Sequence, residues 1–284
     1  MIMHRFLIRA ILFLALLACF TAALEWALGA ANRRSHGKFR IGQEVFEIVE
    51  AADAPHPQVT TLYLGDSVAR QLFQLNGEPS PKELYLPSNQ AISVAGQYCL
   101  LQTVVERAPR LRRVYFFYTP LSWQNNLDNI LTHDYFCGYF HTPALVWEIW
   151  KFKHDRLLTQ AHIARMLLPN IMAENSYLNR SQSRYGVPMV PMATDSNDPV
   201  SPTSRYFLKK MKDLCRQRRI SLTVLPCPCV GTPAQFAQVA PIYDAPITFY
   251  DPSLFLPRKI HLQQQNIAPI RRQVIERFHL QDED

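Results

Sequence analysis

The sequence predicts an α/β domain with a mostly parallel sheet between helical layers, and three observations carry that expectation. Short apolar, β-branched stretches alternate with longer helix-period stretches from residue 59 onward, the order expected of parallel strands joined by crossover helices. Residues 112–120, "RRVYFFYTP", are almost continuously apolar, as in a strand covered on both faces. The last helical stretch keeps Ile267, Ile270, Val274, Ile275 and Phe278 on one face, the stripe of a helix lying on a core.

In chain order, "VTTLYLG" (59–65) reads as a first buried strand ended by glycine, and a helix follows from Ser67 with Val68, Leu72, Phe73 and Leu75 as its apolar stripe. "KELYLP" is a second, short strand. "SNQAISVAGQYCLLQTVVERAP" is a loop feeding a helix that Pro109 helps to end. After the third strand the pattern loosens over residues 121–202. This aromatic-rich insertion holds Trp123, Tyr135, Phe136, Tyr139, Phe140, Trp147 and Trp150, and reads as a lid, a partner surface or a sugar-stacking platform. The scaffold then resumes with a helix over 204–218, a strand over 221–227, a short strand over 246–251 and the last helix.

The amino terminus stands apart. Residues 6–31 are almost uninterrupted apolar sequence, broken by Arg9 and Glu25, and their core, residues 10–24, is preceded by Arg5 and Arg9 and followed by Arg33 and Arg34. The core has 15 residues, and its apolar flanks extend it toward the ~20 needed to cross a bilayer. The expected organisation is a signal anchor or signal peptide over 1–31, a polar linker over 32–58 and one domain over 59–284. A signal anchor with an exported, envelope-located domain is the leading reading. Cleavage near "ALGAA", giving a secreted form, and lipidation at Cys19 stand beside it.

The 284-residue chain carries 30 Lys and Arg against 23 Asp and Glu, a net +7, which favours anionic partners. Its basic groups, Arg110/Arg112/Arg113, Lys209/Lys210/Lys212 and Arg216/Arg218/Arg219, read as solvated helix faces or ends. No zinc finger or aromatic-basic ribonucleoprotein signature accompanies them, so nucleic acid is not an expected partner. Cys227-Pro228-Cys229 lacks the spacer of a metal pair, and His133 and His141 lack ligand spacing, so no metal is expected. Cys227 and Cys229 read as small residues after a strand, with a disulfide to Cys215 or Cys99 left open. No phosphate-binding or dinucleotide glycine motif is present, and no cofactor is expected.

A serine hydroxyl becomes a useful nucleophile when a base takes its proton and aligned donors meet the oxyanion that forms. Gly65-Asp66-Ser67, at a strand end running into a helix, offers a turn and free N–H groups. The stretch also approximates the nucleophile elbow of the α/β-hydrolases. In that fold, however, the serine follows several strands, whereas Ser67 follows the first. Gly-Asp-Ser on a first strand resembles the opening motif of the SGNH (GDSL-type) hydrolases, whose domain is flavodoxin-like, a three-layer sandwich. Gly96, at a helix start after the second strand, falls where that family places a backbone oxyanion donor. His261, directly before the last helix, falls where it places the catalytic base.

The resemblance implies Ser67 as nucleophile, His261 as base, Asp251 as the carboxylate orienting His261, and the Ser67 and Gly96 amides as the oxyanion hole. Two positions depart from the family pattern. Thr119 or Tyr118 stands where an oxyanion asparagine is expected, with Asn125 and Asn126 further on, and Arg258 stands three before His261 in place of aspartate. The implied function is an envelope-anchored esterase or O-acyltransferase acting on acyl, above all acetyl, esters of an extracytoplasmic glycan. Its implied partners are that acylated glycan, the cytoplasmic membrane and a membrane acyltransferase. The alternatives are a non-catalytic SGNH-like glycan-binding or partner subunit, and a lipid or general ester hydrolase.

Overall fold

The structure is a computed structural model, and it describes residues 2–34, 43–73, 80–88, 93–124, 168, 198–257 and 260–280. The chain divides into two compact units, Met1–Glu47 with Phe136–Met189, and Ile48–Tyr135 with Val190–Asp284.

Helix α1 (Ile2–Arg34) lies in the first unit. Its stretch Phe6–Ala31 has 26 residues, a mean hydropathy of 2.4 and none of its most apolar window buried. At ~1.5 Å per residue that is about 39 Å of helix, against about 30 Å of bilayer hydrocarbon. Phe6, Phe13, Leu16, Phe20 and Trp26 are all exposed, and a helix apolar all round needs lipid or protein against every face. The Thr21 hydroxyl donates to the Leu17 carbonyl at 2.8 Å, so this polar group is satisfied within the helix. By length and composition α1 can cross a membrane, as an anchor or as a signal sequence.

Helix α2 (Gln43–Asp53) occupies part of the stretch read as a polar linker. Ile48, Val49 and Ala52 are buried, and Asp53 pairs with Arg107 at 2.7 Å. This short apolar face is diluted by Glu47, Glu50 and Asp53, which made the segment read as solvated.

There follow β1 (Thr61–Gly65), α3 (Ser67–Phe73), β2 (Glu83–Tyr85), α4 (Val94–Arg107) and β3 (Arg113–Tyr118). Among the described residues a 3-10 turn at Pro120–Gln124, α5 (Pro202–Arg218), β4 (Ser221–Pro226), two further 3-10 turns at Ala240–Ile242 and Pro252–Leu254, and α6 (Gln264–Arg277) follow. The α/β architecture expected from the sequence is present: the four strands form an all-parallel sheet in the order β2-β1-β3-β4. Thr61 to Gly65 run in register with Arg113 to Phe117, and Arg113 to Tyr118 with Ser221 to Pro226.

The fifth strand expected over 246–251 is reduced to one bridge, Phe249 beside Cys229. Pro246 and Pro252 bound that segment and Pro226 and Pro228 lack N–H groups on its neighbour, so a ladder cannot propagate. Instead Asp244 backs the open side of β4: its N–H donates to the Val224 carbonyl at 2.8 Å, and its carboxylate accepts the Val224 N–H at 2.7 Å.

Helices α3 and α6 share one core cluster with Tyr63, Phe117 and Leu225 of the sheet. The period-two alternation of strands turns Leu62, Leu64, Val114, Phe116 and Val224, all buried, to the other face. Helix α4 packs against α5, with Tyr98 and Phe207 ring centroids 5.6 Å apart. Ser201 caps α5 through a 3.1 Å bond from the Ser204 N–H, and Pro202 starts it, two residues earlier than the apolar pattern alone indicated. Leu75 and most of the expected insertion lie outside the described residues. Trp123, within it, is fully buried: its indole N–H donates to the Tyr243 hydroxyl, which donates to the Tyr118 carbonyl, both at 2.7 Å.

No disulfide joins the cysteines considered for one. Cys99, Cys215, Cys227 and Cys229 are buried free thiols, and Cys137 lies outside the described residues.

Candidate active site

The strand order reverses direction between β1 and β3: β1 leads to β2 on one side, and the chain then crosses to β3 on the other. In open parallel sheets, sites form beyond the carboxyl ends of the strands at such a switch point. Ser67 follows β1 there, and Thr119 follows β3. Gly65 is needed for closeness more than for turning. A Cβ at residue 65 would overlap the Phe117 carbonyl oxygen and the Ala69 methyl.

Asp66 caps α3. Its carbonyl accepts the Arg70 N–H at 3.0 Å, and its carboxylate accepts the Val68 N–H at 3.1 Å. These are the two bonds of an N-cap residue. Ser67 therefore stands one position inside the helix with its hydroxyl unused by the cap. That hydroxyl lies 2.8 Å from Nε2 of His261, across 194 residues of sequence, within the range of a nucleophile and its base.

His261 is presented by a narrow hairpin. Phe255 and Leu262 form an antiparallel bridge, and the Leu256 N–H donates to the His261 carbonyl at 2.8 Å. Gln263 and Asn266 side chains donate to the Phe255 and Leu254 carbonyls, each at 3.0 Å. Gln71, one turn after Ser67 on α3, grips the next residue from both sides. Its Oε1 accepts the Leu262 N–H at 3.0 Å and its Nε2 donates to the Leu262 carbonyl at 3.3 Å. The helix that begins with Ser67 thus also holds the backbone that carries His261.

Asp251 is not brought to His261. It is exposed and caps the 3-10 turn Pro252–Leu254, its carboxylate accepting the Ser253 N–H at 2.8 Å. That bond holds its carboxyl below the ordinary aspartate range. A carboxylate directly before a proline-initiated turn is a natural cap, and this local use takes precedence over a reach of ten residues. Among the described residues none hydrogen-bonds Nδ1 of His261. Arg258 lies outside the described residues.

Gly96 is brought near but is not open. Gln97, beside it, donates through Nε2 to the Gly65 carbonyl at 2.9 Å. The Gly96 N–H itself is buried and donates to Ser93 Oγ at 3.2 Å as part of the α4 cap. Of the two amides expected to form an oxyanion hole, Ser67's carries no hydrogen bond among the described residues, while Gly96's is committed to the cap. Thr119, standing where an asparagine was expected, is 4% exposed, and its N–H donates to Asp66. Asn125 and Asn126 lie outside the described residues.

Asp66 does more than hold its own turn. Its Oδ2 accepts the Thr119 N–H at 2.8 Å and the Ser122 hydroxyl at 3.0 Å, and its Oδ1 takes the Cys227 thiol at 3.7 Å. One carboxylate, 2% exposed, thus ties the ends of β1, β3 and β4 together beneath Ser67. The bonds to residues 119, 122 and 227 have no local signature.

Cys215, Cys227 and Cys229 are buried thiols and weak nucleophiles. Burial, followed by the nearby Asp66 carboxylate, pushes Cys227 well above the ordinary thiol range. Burial pushes Cys215 and Cys229 up to about 12. Folding stabilises the thiol form, so at pH 8 the reactive thiolate is scarce. Peptide mapping after iodoacetamide treatment of the native protein at pH 8 is expected to find Cys215, Cys227 and Cys229 unmodified, and all three alkylated after denaturation. Among the described residues no group of three or more His, Cys, Asp or Glu side chains is placed to hold a metal ion.

No family model matches the chain, and no curated protein matches its sequence.

Proposed function

We propose that the chain is an SGNH-type serine esterase or O-acyltransferase acting on acyl, principally acetyl, esters of an extracytoplasmic glycan. The observation that carries this reading is the 2.8 Å approach of Ser67 Oγ to His261 Nε2 at the switch point of a parallel sheet. A cap serine would spend its hydroxyl on a helix amide, and Ser67 leaves that task to Asp66. The 2-1-3-4 strand order, with helices packed on both faces, supports a flavodoxin-like three-layer sandwich. The apolar α1 supports membrane attachment, and the reading places the domain outside the cytoplasm, serving a glycan there, with a membrane acyltransferase as its partner.

In the proposed reaction Ser67 Oγ attacks the acyl carbonyl carbon while His261 Nε2 takes the hydroxyl proton. The oxyanion that forms is met by the Ser67 N–H. Collapse of the tetrahedral intermediate breaks the carbon–oxygen bond to the sugar, and His261 returns the proton to the departing oxygen. Water or a second sugar hydroxyl, deprotonated by His261, then attacks the acyl-serine, and the proton ends on Ser67. The imidazole is oriented by the hairpin and by Gln71 rather than by Asp251.

Incubating the full chain with an acetylated glycan and with a serine-directed fluorophosphonate tests this. Acetate release or transfer, and an adduct on the peptide carrying Ser67, are expected. A chain that neither turns over acetyl esters nor accepts the fluorophosphonate instead fits the second reading, a non-catalytic SGNH-like subunit, which the committed Gly96 amide favours.

Gln71→Ala is expected to lower kcat about 10- to 100-fold with little change in KM. It frees the His261 backbone without touching substrate, and misplacement by about 1 Å costs that much. Steady-state kinetics alongside a melting curve would check it. A proportional fall in kcat and stability, with the surviving folded fraction fully active, would assign Gln71 a folding role instead.

A further inference from the structure

Helix α5 concentrates the charge of the chain. Residues 202–219 hold seven Lys and Arg against one acid, Asp213, so this stretch carries +6 of the protein's +7. Phe207, Met211 and Cys215 are buried on its inner side. Arg205, Lys209, Lys212 and Arg216 fall at i, i+4, i+7 and i+11, a single stripe along the helix. They line a groove of about 480 Å³ together with Asp213, Ile242 and the buried Val200 and Leu208.

The stripe is only partly neutralised. Arg205 pairs with Asp198 at 2.9 Å, and Lys209 and Arg216 share Asp213 at 2.5 and 3.3 Å. Lys212, Arg218 and Arg219 have no ion pair among the described residues. The pairs are solvent-exposed, with the Arg216 side chain at 79%, and such pairs exchange readily for another anion. A long cationic stripe suits a surface that offers anionic headgroups. The chain carries its own means of reaching one, because Phe6–Ala31 is long and apolar enough to enter a bilayer. Tethering raises the local concentration of lipid about such a face without any new contact. Helix α5 packs on α4, whereas Ser67 lies on α3, which packs on α6. Docking through α5 therefore uses a helix pair separate from the candidate site.

We propose that the outer face of α5 docks on the anionic phospholipid surface of the membrane that α1 enters. The test is amine-reactive footprinting of the full chain in nanodiscs, either of phosphatidylcholine or with about one third phosphatidylglycerol. Lys209 and Lys212 are expected to label about fivefold more slowly in the anionic discs, with protection lost as salt shortens the screening length. Exposed Lys82, beside the opposite edge strand β2, is the internal control and should not change. Lys212→Glu should at least halve the protection of Lys209 while leaving the circular dichroism spectrum intact. Equal labelling of Lys209 and Lys212 in the two discs would overturn the proposal. So would protection in neutral discs by added DNA or an acidic polysaccharide with none from phosphatidylglycerol, which would assign the face to a soluble polyanion.

Discussion

His261→Ala is expected to lower acetyl-ester turnover by on the order of a thousandfold or more, and Ser67→Ala by at least as much, because removing either half of a nucleophile–base pair removes the function of both. The double variant should be no slower than the slower single variant. That non-additivity separates a working pair from two residues that merely touch. Ser67 and His261 are both only partly buried and neither lies on a strand, so neither variant should disturb the sheet, and their melting temperatures should stay near wild type. The fluorophosphonate gives an independent readout: Ser67→Ala should take no adduct, and His261→Ala should take it far more slowly because phosphonylation also needs the base. Wild-type turnover in His261→Ala would end the catalytic reading, whatever the distance between the two side chains.

Ser67 and His261 were legible because each sits at a junction that sequence marks locally. A buried strand ends at Gly65, and an amphipathic helix begins just after His261. Their meeting follows from the parallel topology, which brings carboxyl ends of strands to one side. What stayed hidden depends on where hydrogen-bonding capacity is spent. Gly96 occupies the expected place, yet its amide is committed to Ser93 because a serine before α4 caps the helix whatever else the loop does. Asp251 carries the right chemistry but is satisfied two residues away, at Ser253. Gln71 gave no signal at all, since its partner is 191 residues distant and is a backbone group that any residue could present. The short strand expected over 246–251 failed for a related reason: side-chain pattern announces a strand, but prolines on its neighbour remove the donors that a ladder needs.

Asp66→Ala is the substitution expected to cost most in stability. The carboxylate is buried, and among the described residues no cation pairs with it, so four donors offset its charge: the Val68 and Thr119 amides, the Ser122 hydroxyl and the Cys227 thiol. Alanine removes the charge but strands two buried backbone N–H groups, each costing about 1–3 kcal/mol. The Val68 bond is also the α3 cap, so its loss is counted once. A total of roughly 2–6 kcal/mol would lower the melting temperature of a domain this size by about 5–20 °C. Asp66→Asn should fall between the two, since its amide oxygen still accepts one N–H while its NH2 group opposes another. Because the same carboxylate sets where α3 begins, Asp66→Ala should lose activity even at temperatures where it remains folded, with Ser67 free to turn its hydroxyl toward the vacated cap. Urea titration of the three proteins, with fluorophosphonate labelling below the transition, measures both effects. If Asp66→Ala unfolds at the wild-type midpoint, the carboxylate is not what joins the ends of β1, β3 and β4. If it is destabilised yet labels at the wild-type rate, the position of Ser67 is set by the Gly65 contact with Phe117 and by Gln71 instead.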